Sequence, residues 1–144
     1  MNENTRDLRE VDIERIASRT YRATSAETGA SLDFGQGEGL LSPVELLLAA
    51  IAGCSSIDVD AATTRRSEPE NFTVKAAGYK VTENGASRMQ DISMTFDLKF
   101  PDTDEGRKAA SMVDRIIKLS HDKYCTVSRT VELGATVTSH RTEG

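Results

Sequence analysis

Ser42-Pro43-Val44-Glu45-Leu46-Leu47-Leu48-Ala49-Ala50-Ile51-Ala52 is the stretch that decides how this chain folds. Ser42 suits a helix N-cap, and Pro43 suits the first helical position, where a missing N–H costs nothing. Glu45 stands three residues past the cap and can reach back to it, which completes a capping box. Beyond Glu45 the run to Ala52 is apolar on every side. A helix apolar all round is predicted to be buried, so it needs a sheet or further helices wrapped around it. Polar residues return near Arg66, and Pro69 sets a limit to the helix.

Upstream, Met1 to Ser18 is polar and reads as a partly frayed segment. Leu8, Val11 and Ile16 are spaced to line one helical face. Arg19–Ser25 and Gly29–Phe34 read as a strand pair bending at Ala26-Glu27-Thr28. Gly35, Gly37 and Gly39 mark a flexible loop before the cap. Downstream, Phe72–Val81 and Asp91–Phe100 read as strands joined at Glu83-Asn84-Gly85. Ile92, Met94, Phe96, Leu98 and Phe100 alternate strictly with other residues, which predicts a strand with one buried face. Asp104–Ser120 reads as a helix with Ala109, Met112, Val113, Ile116 and Ile117 on one stripe. Tyr124–Thr130 reads as a short helical piece and Leu133–His140 as a final strand. Strands in runs with segregated helices predict an α+β fold. The expected organisation is a polar segment over residues 1–18 and a single domain over 19–144.

The bulk composition narrows the classes. At 144 residues there is room for one ordinary domain. Hydrophobic residues at 38% and charged residues at 28% fit a globular chain and not a disordered one. A net charge of −5 and no basic cluster argue against a nucleic-acid partner. No uninterrupted apolar run reaches the roughly 18 residues of a membrane span. Met1 to Ile16 lacks the apolar centre of a secretory signal, so the expected location is the cytoplasm. The 2 cysteines are then no permanent staple. They are either inert buried residues or working thiols.

Cys54 lies too far along its helix for the dipole to act, since that effect fades within the first turn. A low thiol pKa there needs a cation from elsewhere. Gly53 costs about 1 kcal/mol against alanine inside a helix and so suggests close approach of another element. Asp58, one turn beyond Cys54, either orients a cation or is a satisfied polar group. His121 precedes Cys125 by four residues and shares its face if both are helical. It then either stabilises a thiolate or joins a metal site. A zinc site takes three or four ligands, and 2 Cys with 2 His, one of them the distant His140, are a poor supply. No metal or other cofactor is expected. Lys123 and Arg129 also flank Cys125, and solvated charge is their plainest role.

The segment Ser42 to Ala50, continuing through Ala52-Gly53-Cys54-Ser55-Ser56-Ile57-Asp58-Val59, resembles the central-helix motif of the OsmC/Ohr family. Leu119-Ser120-His121-Asp122-Lys123-Tyr124-Cys125-Thr126-Val127-Ser128 resembles that family's second cysteine motif. The resemblance as a whole covers roughly Arg19 to the C-terminus. The resemblance implies an intertwined homodimer, with antiparallel sheets around two central helices. It implies a peroxidatic Cys54, oxidised by an organic hydroperoxide to a sulfenic acid, and a resolving Cys125 that closes a disulfide. Reduced thiols or dihydrolipoyl groups would reopen it.

The chain also departs from that pattern. The family's glutamate directly follows the proline, where this chain has Val44. Glu45 comes one residue later, and nine residues to Cys54 at 100° each put the two on opposite helix faces. The family's activating arginine comes from loops matching Ser25–Ser31 and Gly35–Leu41, and neither holds an arginine. Arg22, Arg65 and Arg129 are possible substitutes, though none matches by position, and His121 and Glu45 are further candidates to support the thiols. This looks like the YhfA-like branch of the family. Three activities stay open: a thiol-dependent hydroperoxide reductase, a non-catalytic binder of a small apolar ligand, and a redox sensor.

Overall fold

The computed structural model describes residues 4–143. They form β1 (Val11–Ala17), β2 (Thr20–Ser25), β3 (Ser31–Gly35), α1 (Pro43–Thr63), β4 (Asn71–Glu83), β5 (Ala86–Lys99), α2 (Asp104–Leu119), a π turn (Ser120–Tyr124) and α3 (Thr126–Leu133). The fold is α+β, as the order of elements predicts. Two compact units divide the chain between Leu47 and Leu48.

The first unit is built on an antiparallel sheet in the order β1-β2-β3. The bend at Ala26-Glu27-Thr28 forms as expected: the Thr28 N–H donates to Ser25 Oγ at 3.1 Å, and the Gly29 N–H to the Ser25 carbonyl at 3.0 Å. Val11–Ala17 corrects the sequence reading, being a strand where a frayed or helical segment is expected. Val11 and Ile13 alternate with Asp12 and Glu14 as a strand requires. A register shift between Arg15 and Ala17 then breaks the alternation, which is how Ile16 comes to mimic helical spacing.

The same unit carries the start of α1. The Glu45 N–H donates to Ser42 Oγ at 3.1 Å, and the Ser42 N–H donates to Glu45 Oε1 at 2.9 Å. Both bonds of the capping box are therefore made.

In the second unit, β4 and β5 form one long hairpin closed by Asn84-Gly85. Positive φ at both residues (53° and 77°) gives the tight turn that suits strand twist. Ala77 pairs with Ser93 and Tyr79 with Gln90, so Asp91 and Ile92 together face the single Gly78. That is a bulge, and Asp91 takes up its left-handed backbone (φ 54°). Ile92, Met94, Phe96, Leu98 and Phe100 are the more sheltered residues of their stretch, alternating with exposed ones. Phe96, Leu98 and Phe100 share a cavity of about 240 Å³ with Val113 and Ile117 of α2.

α1 departs from its expected burial. Only Ile51, Ser55, Val59 and Thr63, spaced four apart, are buried. Ala49, Ala50 and Gly53 are exposed, and Ile57 keeps 70% of its surface. Hydropathy states what a helix needs, and one chain supplies cover to one stripe. Among the described residues Gly53 has nothing within 4 Å of where a Cβ would stand, so it marks no close approach of any of them. By length and composition α1 is apolar enough to cross a membrane, its 18-residue window averaging 1.5 in hydropathy. Within the second unit, Ser55 and Asp58 of α1 bond to Ser120 of the π turn.

The expected strand Leu133–His140 does not form. α3 runs to Leu133, Gly134 ends it at φ 78°, and the described residues after it belong to no sheet. Alternation in sequence says which way side chains would point but supplies no neighbouring strand to bond with.

Candidate functional site

The site lies in the second unit, where α1 meets the start of α3. α2 ends at Leu119, and the Ser120 N–H still donates to the carbonyls of Ile116 and Ile117. One wider turn follows, closed by the Cys125 N–H on the Ser120 carbonyl at 2.7 Å. Cys125 then takes an extended backbone (φ −79°, ψ 97°) and caps α3. The single helix face expected to carry His121 and Cys125 is broken by this turn.

Cys125 is almost completely buried, at 1% exposure. Its sulfur accepts the Ser128 N–H at 3.4 Å, the bond an N-cap makes to the third helical position. Its thiol donates to Ser128 Oγ at 3.2 Å, with the Ile51 carbonyl a longer second acceptor at 3.9 Å. Should Cys125 lose its proton, the Ser128 hydroxyl can turn and donate, because a hydroxyl serves either role.

Cys54 is half-buried and belongs to the same cluster. Burial pushes its thiol pKa up, the Val127 N–H draws it down, the neighbouring Cys125 thiol raises it further, and the Thr126 N–H lowers it. The net direction is upward. At the start of α3 the Ser128 N–H bonds to Cys125, and the Val127 and Thr126 N–H groups act on Cys54 only as influences that lower its pKa. No cation figures among these influences on Cys54.

The raised pKa has a measurable sign. Cys54 is protonated at neutral pH, and its reactive thiolate grows as pH rises. Alkylation mapped to Cys54 is expected to speed up about tenfold per pH unit between about pH 6 and 9. A plateau below the ordinary thiol value of 9.0 would show a thiolate stabilised after all. Folding favours the protonated form, so its contribution to stability is intact below the ordinary value and is lost as pH rises through the folded pKa.

The other candidates stand as follows. Arg22 belongs to the first unit, and its guanidinium grips Asp33 with bonds of 2.7 and 3.1 Å. That bond holds the Asp33 carboxyl below its usual range. Glu45, also in the first unit, is engaged by Ser42, whose N–H holds its carboxyl below the ordinary range. His121 Nε2 stands 3.3 Å from Glu132 Oε1. Arg129 shares a shallow surface pocket with His121, Asp122 and Glu132, and its main-chain N–H donates to the Cys125 carbonyl. Among the described residues no group of three or more His, Cys, Asp or Glu is placed to hold a metal.

Three serines at the site escape the sequence reading. Ser128 has a signal, since Cys125 and Ser128 stand at the spacing of an N-cap and its third helical residue. Ser55 and Ser120 have none, because their contact spans 65 residues of chain. A cavity of about 440 Å³ opens beside the cluster. Ile51, Met89, Ile92, Met94 and Val131 give it an apolar lining, and Ser128 touches both this cavity and Cys125.

Cys125 thus caps α3 while its thiol reaches α1 at the Ile51 carbonyl, one turn before Cys54, within an α+β frame. Residues 35–140 match the family model described as OsmC-like protein, and the chain belongs to that family. An uncharacterised protein of Mycobacterium tuberculosis (strain ATCC 25618 / H37Rv) is 30% identical over 128 residues, covering 87% of this chain and 90% of the relative. Among solved structures, a hypothetical protein from Aquifex aeolicus VF5 is similar at a TM-score of 0.69 and 24% identity, over 89% of each chain. The organic hydroperoxide resistance protein OhrB of Bacillus subtilis is similar at a TM-score of 0.54 and 18% identity, over 87% of this chain and 90% of that one.

Proposed function

We propose that this protein reduces organic hydroperoxides through Cys54 and Cys125. The observation that carries the reading is the seating of the buried Cys125 thiol against α1, 3.9 Å from the Ile51 carbonyl, one turn before Cys54. The resistance to organic hydroperoxides named for the Bacillus subtilis relative supports it. The Cys54 thiolate attacks the terminal peroxide oxygen, the O–O bond breaks, and the alkoxide leaves and takes up a proton as alcohol. Cys54 is then a sulfenic acid. The Cys125 sulfur attacks the Cys54 sulfur, hydroxide leaves with the thiol proton as water, and a disulfide remains. Two electrons from a dithiol or two thiols, dihydrolipoyl groups included, restore the pair. The apolar part of the cavity beside Ser128, formed by Ile51, Met89, Ile92, Met94 and Val131, suits the hydrocarbon part of the substrate, while Arg88, Asp91, His121 and Glu132 line the rest. A cycle that ends in free thiols fits a reducing compartment, the cytoplasm.

Stopped-flow mixing with cumene hydroperoxide and excess dithiol tests this. Repeated turnover is the expected result. One observation favours a second reading, a redox sensor: Cys54 is pushed up in pKa with no cation among its influences. A single slow oxidation without turnover would establish the sensor and sink the reductase.

The working unit in this reading is a homodimer. Ala49, Ala50, Gly53 and Ile57 of α1 are left open, and a second copy of α1 is the apolar cover they fit. Sedimentation at micromolar concentration is expected to give about twice the 15.7 kDa of the chain. A monomer at that concentration would remove the proposal.

A further inference from the structure

We propose that Asp58, Ser120 and Ser55 form a positioning relay that sets Cys125 against Cys54. The inference rests on the cysteine-pair reading above and deepens it by assigning roles to residues outside the thiols.

Ser55 and Ser120 are 1% and 0% exposed, yet both carry hydroxyls. Buried hydroxyls are costly unless bonded, and these two are bonded to each other at 3.1 Å. Ser120 Oγ also lies 2.7 Å from Asp58 Oδ2. Ser120 Oγ donates its single proton to Asp58 Oδ2. Ser55 must then donate to Ser120, which fixes the direction of the whole chain.

The covalent positions give this network its purpose. Ser55 and Asp58 sit on α1, one residue and one turn beyond Cys54. Ser120 is the residue whose carbonyl accepts the Cys125 N–H and closes the π turn. Its side chain is thus held by the helix of one cysteine while its main chain holds the other cysteine. A π turn is an uncommon geometry, found often at functional sites, and it lasts only where its surroundings hold it. Here the relay does so. Without it Cys125 remains attached to α3, and only the long 3.9 Å contact of its thiol with the Ile51 carbonyl sets its distance to α1.

The disulfide equilibrium in a glutathione redox buffer reads that distance directly. Asp58→Ala is expected to shift it about tenfold toward the dithiol, the scale of a hydrogen bond to a charged group. Asp58→Asn keeps an oxygen that accepts from Ser120 and is expected to stay within about threefold of wild type. Ser120→Ala is expected to match Asp58→Ala. A merely structural pin would lower the urea midpoint of these variants and leave the equilibrium of the folded protein alone. An equilibrium within about twofold of wild type in folded Asp58→Ala overturns the relay. Should Ser120→Ala not fold, the two Asp58 variants still decide. Wild type that closes the disulfide but consumes no peroxide sinks the reductase reading, while the relay is judged on the shift alone. Wild type that closes no disulfide overturns both.

Discussion

Cys54→Ser is expected to lower peroxide consumption by on the order of 10³-fold or more, because a serine hydroxyl offers almost no anion at neutral pH and a weaker nucleophile. Cys125→Ser is expected to behave differently. The first oxidation still occurs, since Cys54 keeps the Thr126 and Val127 N–H groups. With no thiol added, recycling fails, because the chain itself has no second thiol to expel water from the sulfenic acid. Excess peroxide then carries Cys54 up the oxidation ladder to a sulfinic acid. Stopped-flow rates with intact-mass analysis separate the cases. Cys54→Ser should show unchanged mass, Cys125→Ser should gain one and then two oxygens, and wild type should lose two hydrogens. Peroxide consumption by Cys54→Ser at the wild-type rate would move the chemistry away from this pair.

Gly106→Ala is expected to cost roughly 3 kcal/mol or more in stability, at the upper end of what overpacking does. Gly106 sits in the first turn of α2, where its N–H donates to the Thr103 cap at 2.9 Å. A Cβ there would overlap the Pro101 carbonyl oxygen and stand 2.9 Å from the Pro101 carbonyl carbon. Both are main-chain atoms, and no side chain can swing aside to relieve the overlap. Alanine is otherwise the better helix former, so its intrinsic propensity works against the predicted loss. Urea unfolding followed by circular dichroism measures the outcome. A midpoint equal to wild type would mean that the Pro101–Thr103 turn gives way easily.

The elements legible in the sequence are those whose signal is local. Ser42, Pro43 and Glu45 announce the start of α1 by chemistry confined to four residues. Ile92 to Phe100 announces β5 by alternation alone. β1 is hidden by its own bulge at Arg15–Ala17, which converts a period of two into something resembling a helical face. The burial of α1 is misjudged because hydropathy describes a demand, and the covering surface is not written in the same residues. Leu133 to His140 shows the same limit for strands. At the site, the two cysteines stand out through their neighbouring motifs. The contacts of Ser120 with Ser55 and Asp58 bridge over sixty residues of chain, and no local pattern carries them.

The polar groups that α3 turns on the thiols belong to its peptide bonds. Every residue type except proline brings the same N–H to positions 126, 127 and 128. Genetic drift at Thr126 or Val127 can therefore change size, charge or shape without altering the donors that Cys54 meets. An imino acid alone deletes one. Such a site is inherited through the path of the backbone, and its lineage would be traced more surely by the wide turn at Ser120 and the extended residue at Cys125 than by the letters between them.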